Sequence, residues 1–274
     1  MNAVSGPDGA VLDLMVDKAP YNNAYDSMIS RVPAKVFEWA AQPLIDHIYG
    51  PIAEKNHILG VIAINATLTA PRIPLEYKLG KIYESALDEG KAVKAALAIG
   101  GKLATKAVDG LDGPVARGTD CTTEFGAVFD PLTDMLGTLD DAVIIMKRAK
   151  AEKDYVTVAL MGVRLAVDVG VIATSSVNLA AQKKLESKGV EVPEREKAKA
   201  LAMGKVKFGA GVVGDTVLLS SYNTGDLDKR HKAKRAGQTI TVASIVAGGV
   251  SIYQYGRAAA KKLRQLKDLK QQAA

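Results

Sequence analysis

Residues 109–134 read DGLDGPVARGTDCTTEFGAVFDPLTD, and this stretch carries the clearest chemical signal in the chain. Four of its five aspartates stand in two closely spaced pairs, Asp109 with Asp112 and Asp130 with Asp134. On helices, the first two share a face because they are three residues apart, and the last two share a face because they are four apart. Two such helices packed antiparallel would direct all four carboxylates toward one point. The stretch therefore predicts a carboxylate cluster between two helices.

A cluster of four carboxylates requires positive charge beside it. Buried without compensation, the carboxylates would repel one another and would be costly to desolvate. Carboxylate oxygens are the natural ligands of hard divalent cations, so the pattern predicts two cations, Mg²⁺ or Mn²⁺. The alternative is an acidic loop or a solvated helix face. That alternative gives no reason for the interleaved Gly113, Ala116 and Gly126, small residues that let a backbone or a ligand approach closely.

The spacing D-x2-D-G-x2-A-R-x8-G-x3-D-x3-D resembles the signature of the CDP-alcohol phosphatidyltransferases. The chain matches it at Asp109, Asp112, Gly113, Ala116, Arg117, Gly126, Asp130 and Asp134. A second, weaker resemblance lies at residues 68–75, which read LTAPRIPL and are similar to the L-T-x-x-R-I-P segment that opens the first membrane helix of this family. The resemblance extends over roughly residues 65–257.

The resemblance implies a role for each residue of the motif. The metal ligands would be Asp109, Asp112, Asp130 and Asp134. Asp134 is also the position that the family uses as general base on the acceptor hydroxyl, which makes it the expected catalytic residue. The nucleotide site would be lined by Asp112, Gly113, Ala116, Arg117 and Gly126. The arginine offers a planar fork of donors to phosphate.

The implied reaction is transfer of a phosphatidyl group from CDP-diacylglycerol to the hydroxyl of a phosphorylated small alcohol, with release of CMP. Residues 161–164 (MGVR) and 204–207 (GKVK) resemble acceptor-phosphate features of the family, which suggests Arg164, Lys205 and Lys207 as phosphate ligands. The run DPLTD is similar to that of members that use glycerol 3-phosphate. Met135 replaces their usual lysine, so an inositol phosphate acceptor remains an alternative.

Apolar periodicity predicts an all-α chain. We expect helices near residues 92–112, 126–148, 155–180, 201–221 and 237–257, with charged connections at Lys183–Lys199 and Tyr222–Lys234. An amphipathic helix is expected from Val32 to Ile52, lying either in a membrane interface or on the body of the protein. The resemblance implies a bundle of six membrane-spanning helices. The expected division is an N-terminal segment (1–55), the catalytic helical domain (56–257) and a basic tail (258–274).

The charges along these helices conflict with a simple membrane protein. A spanning helix needs about 20 mainly apolar residues, and only Ala236–Gly256 is free of charge over that length. The chain is therefore either an integral membrane enzyme with polar helices around a wet site, or a water-soluble or catalytically silent form of the fold. The membrane interpretation gains support from a basic cluster that would mark the cytoplasmic side, formed by Arg257, Lys261, Lys262, Arg264, Lys267 and Lys270. It implies a cytoplasmic membrane location with the active site facing the cytoplasm, and the family implies a homodimer.

Composition excludes several other classes of function. Aromatic residues make up 5% of the 274 residues and do not interleave with basic ones, which argues against nucleic-acid binding. Cys121 is the single cysteine, so neither a disulfide framework nor a thiolate metal site is expected. His47, His57 and His231 are far apart and show no ligand spacing.

Overall fold

The computed structural model describes residues 36–121, 124–192 and 202–272, and within its helices it leaves out the side chains of residues 69, 109, 113, 124–134, 202 and 272. All regular structure in this part of the chain is helical, which confirms the predicted fold class. Residues 36–44 are helical and lead into a π-helical turn, Ile45–Tyr49; a second π-helical turn, Asn65–Thr69, follows α2. The helices are α1 (Gly50–Lys55), α2 (His57–Ile64), α3 (Arg72–Asp88), α4 (Ala92–Gly118), α5 (Glu124–Ala151), α6 (Tyr155–Glu186), α7 (Ala202–Tyr222) and α8 (Leu227–Gln272).

The last helix is much longer than the sequence predicts. Instead of beginning near residue 237, α8 begins at Leu227, because Asp226 Oδ1 accepts hydrogen bonds from the backbone N–H groups of Asp228 and Lys229 and so caps the helix. The predicted connection Tyr222–Lys234 is wrong, since only a short turn separates α7 from α8. At the other end, residues 258–272 of the expected basic tail continue the same helix.

Short connections make α3 to α6 alternate in direction. Only a few residues separate α3 from α4, α4 from α5, and α5 from α6, so neighbours in sequence run antiparallel. The main core lies between α3, α4, α5, α6 and α7, with Tyr83, Ile145 and Met161 fully buried at its centre. The Tyr83 hydroxyl donates a 2.6 Å hydrogen bond to the carbonyl oxygen of Leu219, which ties α3 to α7.

Helix α8 runs parallel to α6 along almost all of α6. At the N-terminal ends Gln238 Nε2 donates a 2.8 Å hydrogen bond to Thr157 Oγ1, and at the C-terminal ends Lys262 Nζ donates a 3.0 Å bond to Asn178 Oδ1. Beyond that bond, Leu185 and Leu266 bury each other in a small separate core. The C-terminal ends of α6 and α8 therefore lie at the same end of the bundle as the α4–α5 turn.

Three stretches are long and apolar enough to cross a membrane: His57–Asp88, which comprises α2 and α3, Tyr155–Glu186 and Leu227–Gln271. Several charges that conflict with spanning helices in the sequence point inward. Glu76, Lys102 and Lys106 are buried between helices, while large apolar side chains such as Val93 and Leu97 are exposed on the outside of α4. Inward charge and outward hydrocarbon are the arrangement expected of polar helices in a bilayer.

Candidate active site

Helices α4 and α5 carry the four aspartates of the motif. Asp109 and Asp112 lie in the C-terminal part of α4, and Asp130 and Asp134 lie in the N-terminal part of α5. Five residues join the two helices, and Asp120 within this connection adopts a positive φ of 53°. Among the motif residues whose side chains are described, Asp112 and Ala116 are half-buried and Arg117 is exposed. The side chains of Asp109, Gly113, Gly126, Asp130 and Asp134 lie outside the described residues.

An ion-pair cluster fixes the register of α4 against α5. Lys102 Nζ lies 2.7 Å from Asp141 Oδ1, Lys106 pairs with the other oxygen of Asp141, and Lys102 also pairs with Asp140. The side chains of Lys102, Lys106 and Asp141 are almost completely buried. We call Lys102, Lys106, Asp140 and Asp141 the lysine–aspartate cluster.

The lysine–aspartate cluster and the motif occupy the same helix faces. Asp109 lies two turns beyond Lys102 and one turn beyond Lys106, and Asp134 lies two turns before Asp141. Residues at these spacings share a face, so the faces that meet at the cluster are those on which the motif aspartates stand. Because α4 and α5 are antiparallel, this register places positions 109 and 112 of α4 at the level of positions 130 and 134 of α5.

A second polar contact lies beside the cluster, one turn from the motif. Glu76 on α3 accepts hydrogen bonds at Oε1 from Arg72 Nε and Thr105 Oγ1, each 3.1 Å long. Its other oxygen lies against Gly137 of α5, at a place that a Cβ atom at position 137 would occupy. Helix α3 therefore contacts both motif helices through a single buried carboxylate.

The residues expected to bind the acceptor phosphate have different surroundings. Arg164 is buried on α6, where it pairs with Asp215 of α7 and lies 3.9 Å from Asp168. Lys207 Nζ on α7 lies 2.6 Å from Asp168 Oδ1, and Lys205 is exposed. Two of the three predicted phosphate ligands are thus already neutralised by carboxylates, which the MGVR and GKVK patterns alone do not indicate.

The helical segment that begins at residue 36 packs on the motif part of α4. Phe37 fills the space above Gly110, and Ile45 fills the space above Gly118, so any side chain at either glycine would collide with it. Trp39 faces away and is 80% exposed. This confirms an amphipathic helix over the described part of Val32–Ile52, and it lies directly beside the motif.

The histidines and the cysteine take no part in a metal site among the described residues. His57 Nε2 makes a 2.9 Å hydrogen bond with the carbonyl oxygen of Asp120, at the α4–α5 turn. Cys121 is buried beside Gly60 of α2. The part of the chain whose side chains are described contains no group of three or more metal-ligating residues, and three of the four motif aspartates fall outside that part.

Comparison with known proteins assigns the chain to a class. The family model for CDP-alcohol phosphatidyltransferases matches residues 79–260, which is well over half of the chain. The chain belongs to this family of membrane-bound transferases of substituted phosphate groups, which transfer a phosphatidyl group from a CDP-alcohol and use divalent cations. No curated protein and no solved structure matches the chain.

The structure adds polar residues that sequence reasoning did not select. Glu76, Lys102 and Lys106 appear in the sequence as charges that weaken the membrane interpretation, and Asp141 is not singled out there. The available signal was their helical spacing, because Lys102 and Lys106 fall on the face of Asp109 and Asp141 falls on the face of Asp134. Without the register of α4 against α5, that spacing did not say which charges would meet.

Proposed function

We propose that the protein transfers the phosphatidyl group of CDP-diacylglycerol to glycerol 3-phosphate, which is the reaction of a phosphatidylglycerol phosphate synthase. The observation that carries this proposal is the complete eight-residue motif on an antiparallel helix pair whose register is set by Asp141 and its two lysines. That register supports a convergence of Asp109, Asp112, Asp130 and Asp134. A group of four carboxylates fits two divalent cations by the chemistry of its donors.

The residues of the motif have separable roles in this proposal. Asp109, Asp112, Asp130 and Asp134 would hold the two cations, which when bound neutralise charge on the pyrophosphate. Arg117, with Gly113, Ala116 and Gly126 leaving room beside it, would bind the nucleotide. The exposure of Arg117 near the end of α4 is compatible with contact to a ligand that enters from the aqueous side.

The transfer itself needs no covalent enzyme intermediate. The acceptor hydroxyl oxygen forms a bond to the lipid-side phosphorus while the bond from that phosphorus to the oxygen of CMP breaks. The hydroxyl proton passes to the Asp134 carboxylate, and CMP leaves with the bonding electron pair. Because Asp134 would also stand near the cations, its role as a base depends on its position beside the hydroxyl more than on high basicity.

The acceptor phosphate would be bound on the side of α7. Lys207 lies two turns from Asp215, toward the end of the bundle that holds the α4–α5 turn, and Lys205 lies still closer to that end. Arg164 would stabilise the site through Asp168, which contacts both Arg164 and Lys207. Inositol phosphate is the second acceptor to test, because Met135 stands where members that use glycerol 3-phosphate have lysine.

We also propose a cytoplasmic orientation and a homodimer. The basic residues after residue 256 lie at the same end of the bundle as the α4–α5 turn, since α6 and α8 end there together. Positive residues beside spanning helices mark the cytoplasmic side. The homodimer rests on family resemblance.

The deciding experiment is release of CMP from CDP-diacylglycerol by the purified protein with Mg²⁺ or Mn²⁺, offered either glycerol 3-phosphate or inositol phosphate. We expect turnover with glycerol 3-phosphate and a loss of about 10²–10⁴-fold in Asp134→Asn, the usual contribution of a general base. Asp120→Asn is the matched control, because this exposed aspartate has a positive φ that asparagine tolerates. Turnover only with inositol phosphate would show that inositol phosphate, and not glycerol 3-phosphate, is the acceptor.

A catalytically silent form of the fold is the second candidate. The observation that favours it is the pairing of Arg164 and Lys207 with Asp215 and Asp168, which leaves these cations without excess positive charge for a phosphate. A folded protein that binds Mn²⁺ but releases no CMP with either acceptor would establish this alternative.

A further inference from the structure

Glu76 is a buried carboxylate that contacts three helices. It is 2% exposed, and Oε1 is shared between Arg72 on its own helix and Thr105 on α4. No described residue donates a hydrogen bond to Oε2, which lies against Gly137 on α5. A buried carboxylate with one unsatisfied oxygen lowers stability, so its presence requires an explanation.

Its position relates Glu76 to the motif. Thr105 lies one turn before Asp109 on α4, and Gly137 lies one turn after Asp134 on α5. On α4, Thr105 lies between the cluster residues Lys102 and Lys106, and on α5, Gly137 lies between Asp134 and the cluster residue Asp140. Glu76 therefore stands beside the cluster, one turn from the level of Asp109 and Asp134.

We infer that Glu76 is a positioning residue that sets the separation of α4 and α5, and with it the spacing of the four carboxylates that hold the cations. This inference rests on the proposed function. Helix α4 is held to Glu76 by the Thr105 hydrogen bond, and α5 approaches it closely because position 137 is glycine. Ligand geometry must be held to about 0.5 Å, so a change in the distance between the helices weakens cation binding.

Gly137 provides the sharpest variant. In Gly137→Ala the new methyl group meets Glu76 Oε2, so either the carboxylate gives up its hydrogen bonds at Oε1 or α5 moves away from α3. Gly100→Ala is the matched control, because a Cβ atom at this helical position on α4 meets nothing within 4 Å. The double variant Glu76→Ala/Gly137→Ala removes the colliding carboxylate and leaves space for the methyl group.

The test is Mn²⁺ titration of the full chain in detergent, followed by electron paramagnetic resonance, together with thermal melting of each variant. We expect Gly137→Ala and Glu76→Gln to weaken Mn²⁺ binding about 10–100-fold, as outer-shell substitutions commonly do. Gly100→Ala should bind as the parent does. The double variant lacks the collision but also lacks Glu76, so it should melt at a higher temperature than Gly137→Ala while binding Mn²⁺ more weakly than the parent does.

Each result bears on the inference. Gly137→Ala with parental Mn²⁺ affinity, whatever its melting temperature, would overturn it, and so would a double variant that binds Mn²⁺ as tightly as the parent. Failure of the proposed function gives a different result. The parent protein would then bind Mn²⁺, the variants would show the expected changes in Mn²⁺ affinity, and no CMP would be released. A parent protein that binds no Mn²⁺ would overturn both.

Discussion

Four inward-facing cations on α4, α6 and α7 stand beside carboxylates, while the buried Lys262 of α8 donates hydrogen bonds to Asn178 and Gln182. Lys102 and Lys106 share Asp141, Arg164 pairs with Asp215, and Lys207 pairs with Asp168. An isolated charge in low dielectric is very costly, whereas a paired and hydrogen-bonded one is tolerated. The pairing allows α4 to α7 to carry charges on inner faces while their outer faces remain apolar.

Asp141 is the residue on which this pairing depends most. In Asp141→Asn both lysines remain buried, with Asp140 as the single remaining carboxylate of the cluster. We expect a loss of about 3–5 kcal/mol in the free energy of unfolding, the range for breaking a buried ion pair. Thermal melting in detergent measures it, with Asp228→Asn as a control, because that pair with Lys232 is exposed. Equal melting temperatures for the two variants would contradict the assignment.

Among single residues, the sequence predicts those of the motif but not the residues that hold the motif helices in place. The eight motif residues have fixed spacing within one stretch, so their pattern is readable without a structure. Glu76 and Asp141 act through partners that lie far away in sequence, Thr105 and Lys106 respectively. Such pairing depends on the register of packed helices, which local periodicity does not contain.

At the scale of elements, helix ends depend on single side chains. Asp154 caps α6 by accepting hydrogen bonds from the backbone N–H and the hydroxyl of Thr157, and Lys234 Nζ of α8 lies 3.2 Å away. Partial burial raises the pKa of Asp154, but these hydrogen bonds and the lysine outweigh burial and hold the pKa below its usual value. The cap therefore links the beginnings of α6 and α8.

The lowered pKa of Asp154 gives a pH dependence with a defined sign. Its folded pKa is below the unfolded one, so its contribution is complete above about pH 4 and is lost as the pH falls through the folded pKa. We expect Asp154→Ala to cost about 1 kcal/mol at neutral pH, the usual value of a helix cap. Melting curves from pH 7 to pH 3 should show the parent and variant converging. A constant difference would contradict the role of the ionised carboxylate.

The sequence predicts where helices occur better than it predicts where they begin and end. The sequence predicts helices in the regions of α4 to α8, because apolar periodicity extends through each of them. It places the start of α8 ten residues late, because the polar residues between Leu227 and Lys234 obscure the cap at Asp226. The polar residues at both ends of α8 are helical although they lie outside its apolar region.

For the whole molecule, the exposed apolar side chains and Trp39 indicate where the bilayer and its interface lie. Trp39 is the single tryptophan of the chain, and it projects from the helix that covers Gly110. Tryptophan favours the membrane–water interface, because its ring is apolar and its N–H is polar. We therefore expect the helix beside the motif to rest at the level of lipid headgroups.

Fluorescence of the single tryptophan tests this placement. In lipid nanodiscs we expect a blue-shifted emission of Trp39 that is quenched by lipids brominated near the headgroup. The variant Trp39→Phe/Tyr253→Trp moves the reporter to an exposed position on α8, within its membrane-spanning stretch, where deep bromines should quench more strongly. Quenching of Trp39 by aqueous iodide alone would place the helix in water.

The lysine–aspartate cluster also bears on how the chain enters a membrane during synthesis. When α4 leaves the ribosome it presents Lys102 and Lys106, and their partner Asp141 has not yet been made. A single central lysine opposes insertion by about 2.5–3.5 kcal/mol, and here there are two. We therefore expect α4 to wait inside the translocation channel until α5 emerges, so that the two helices enter the lipid together as a neutralised hairpin.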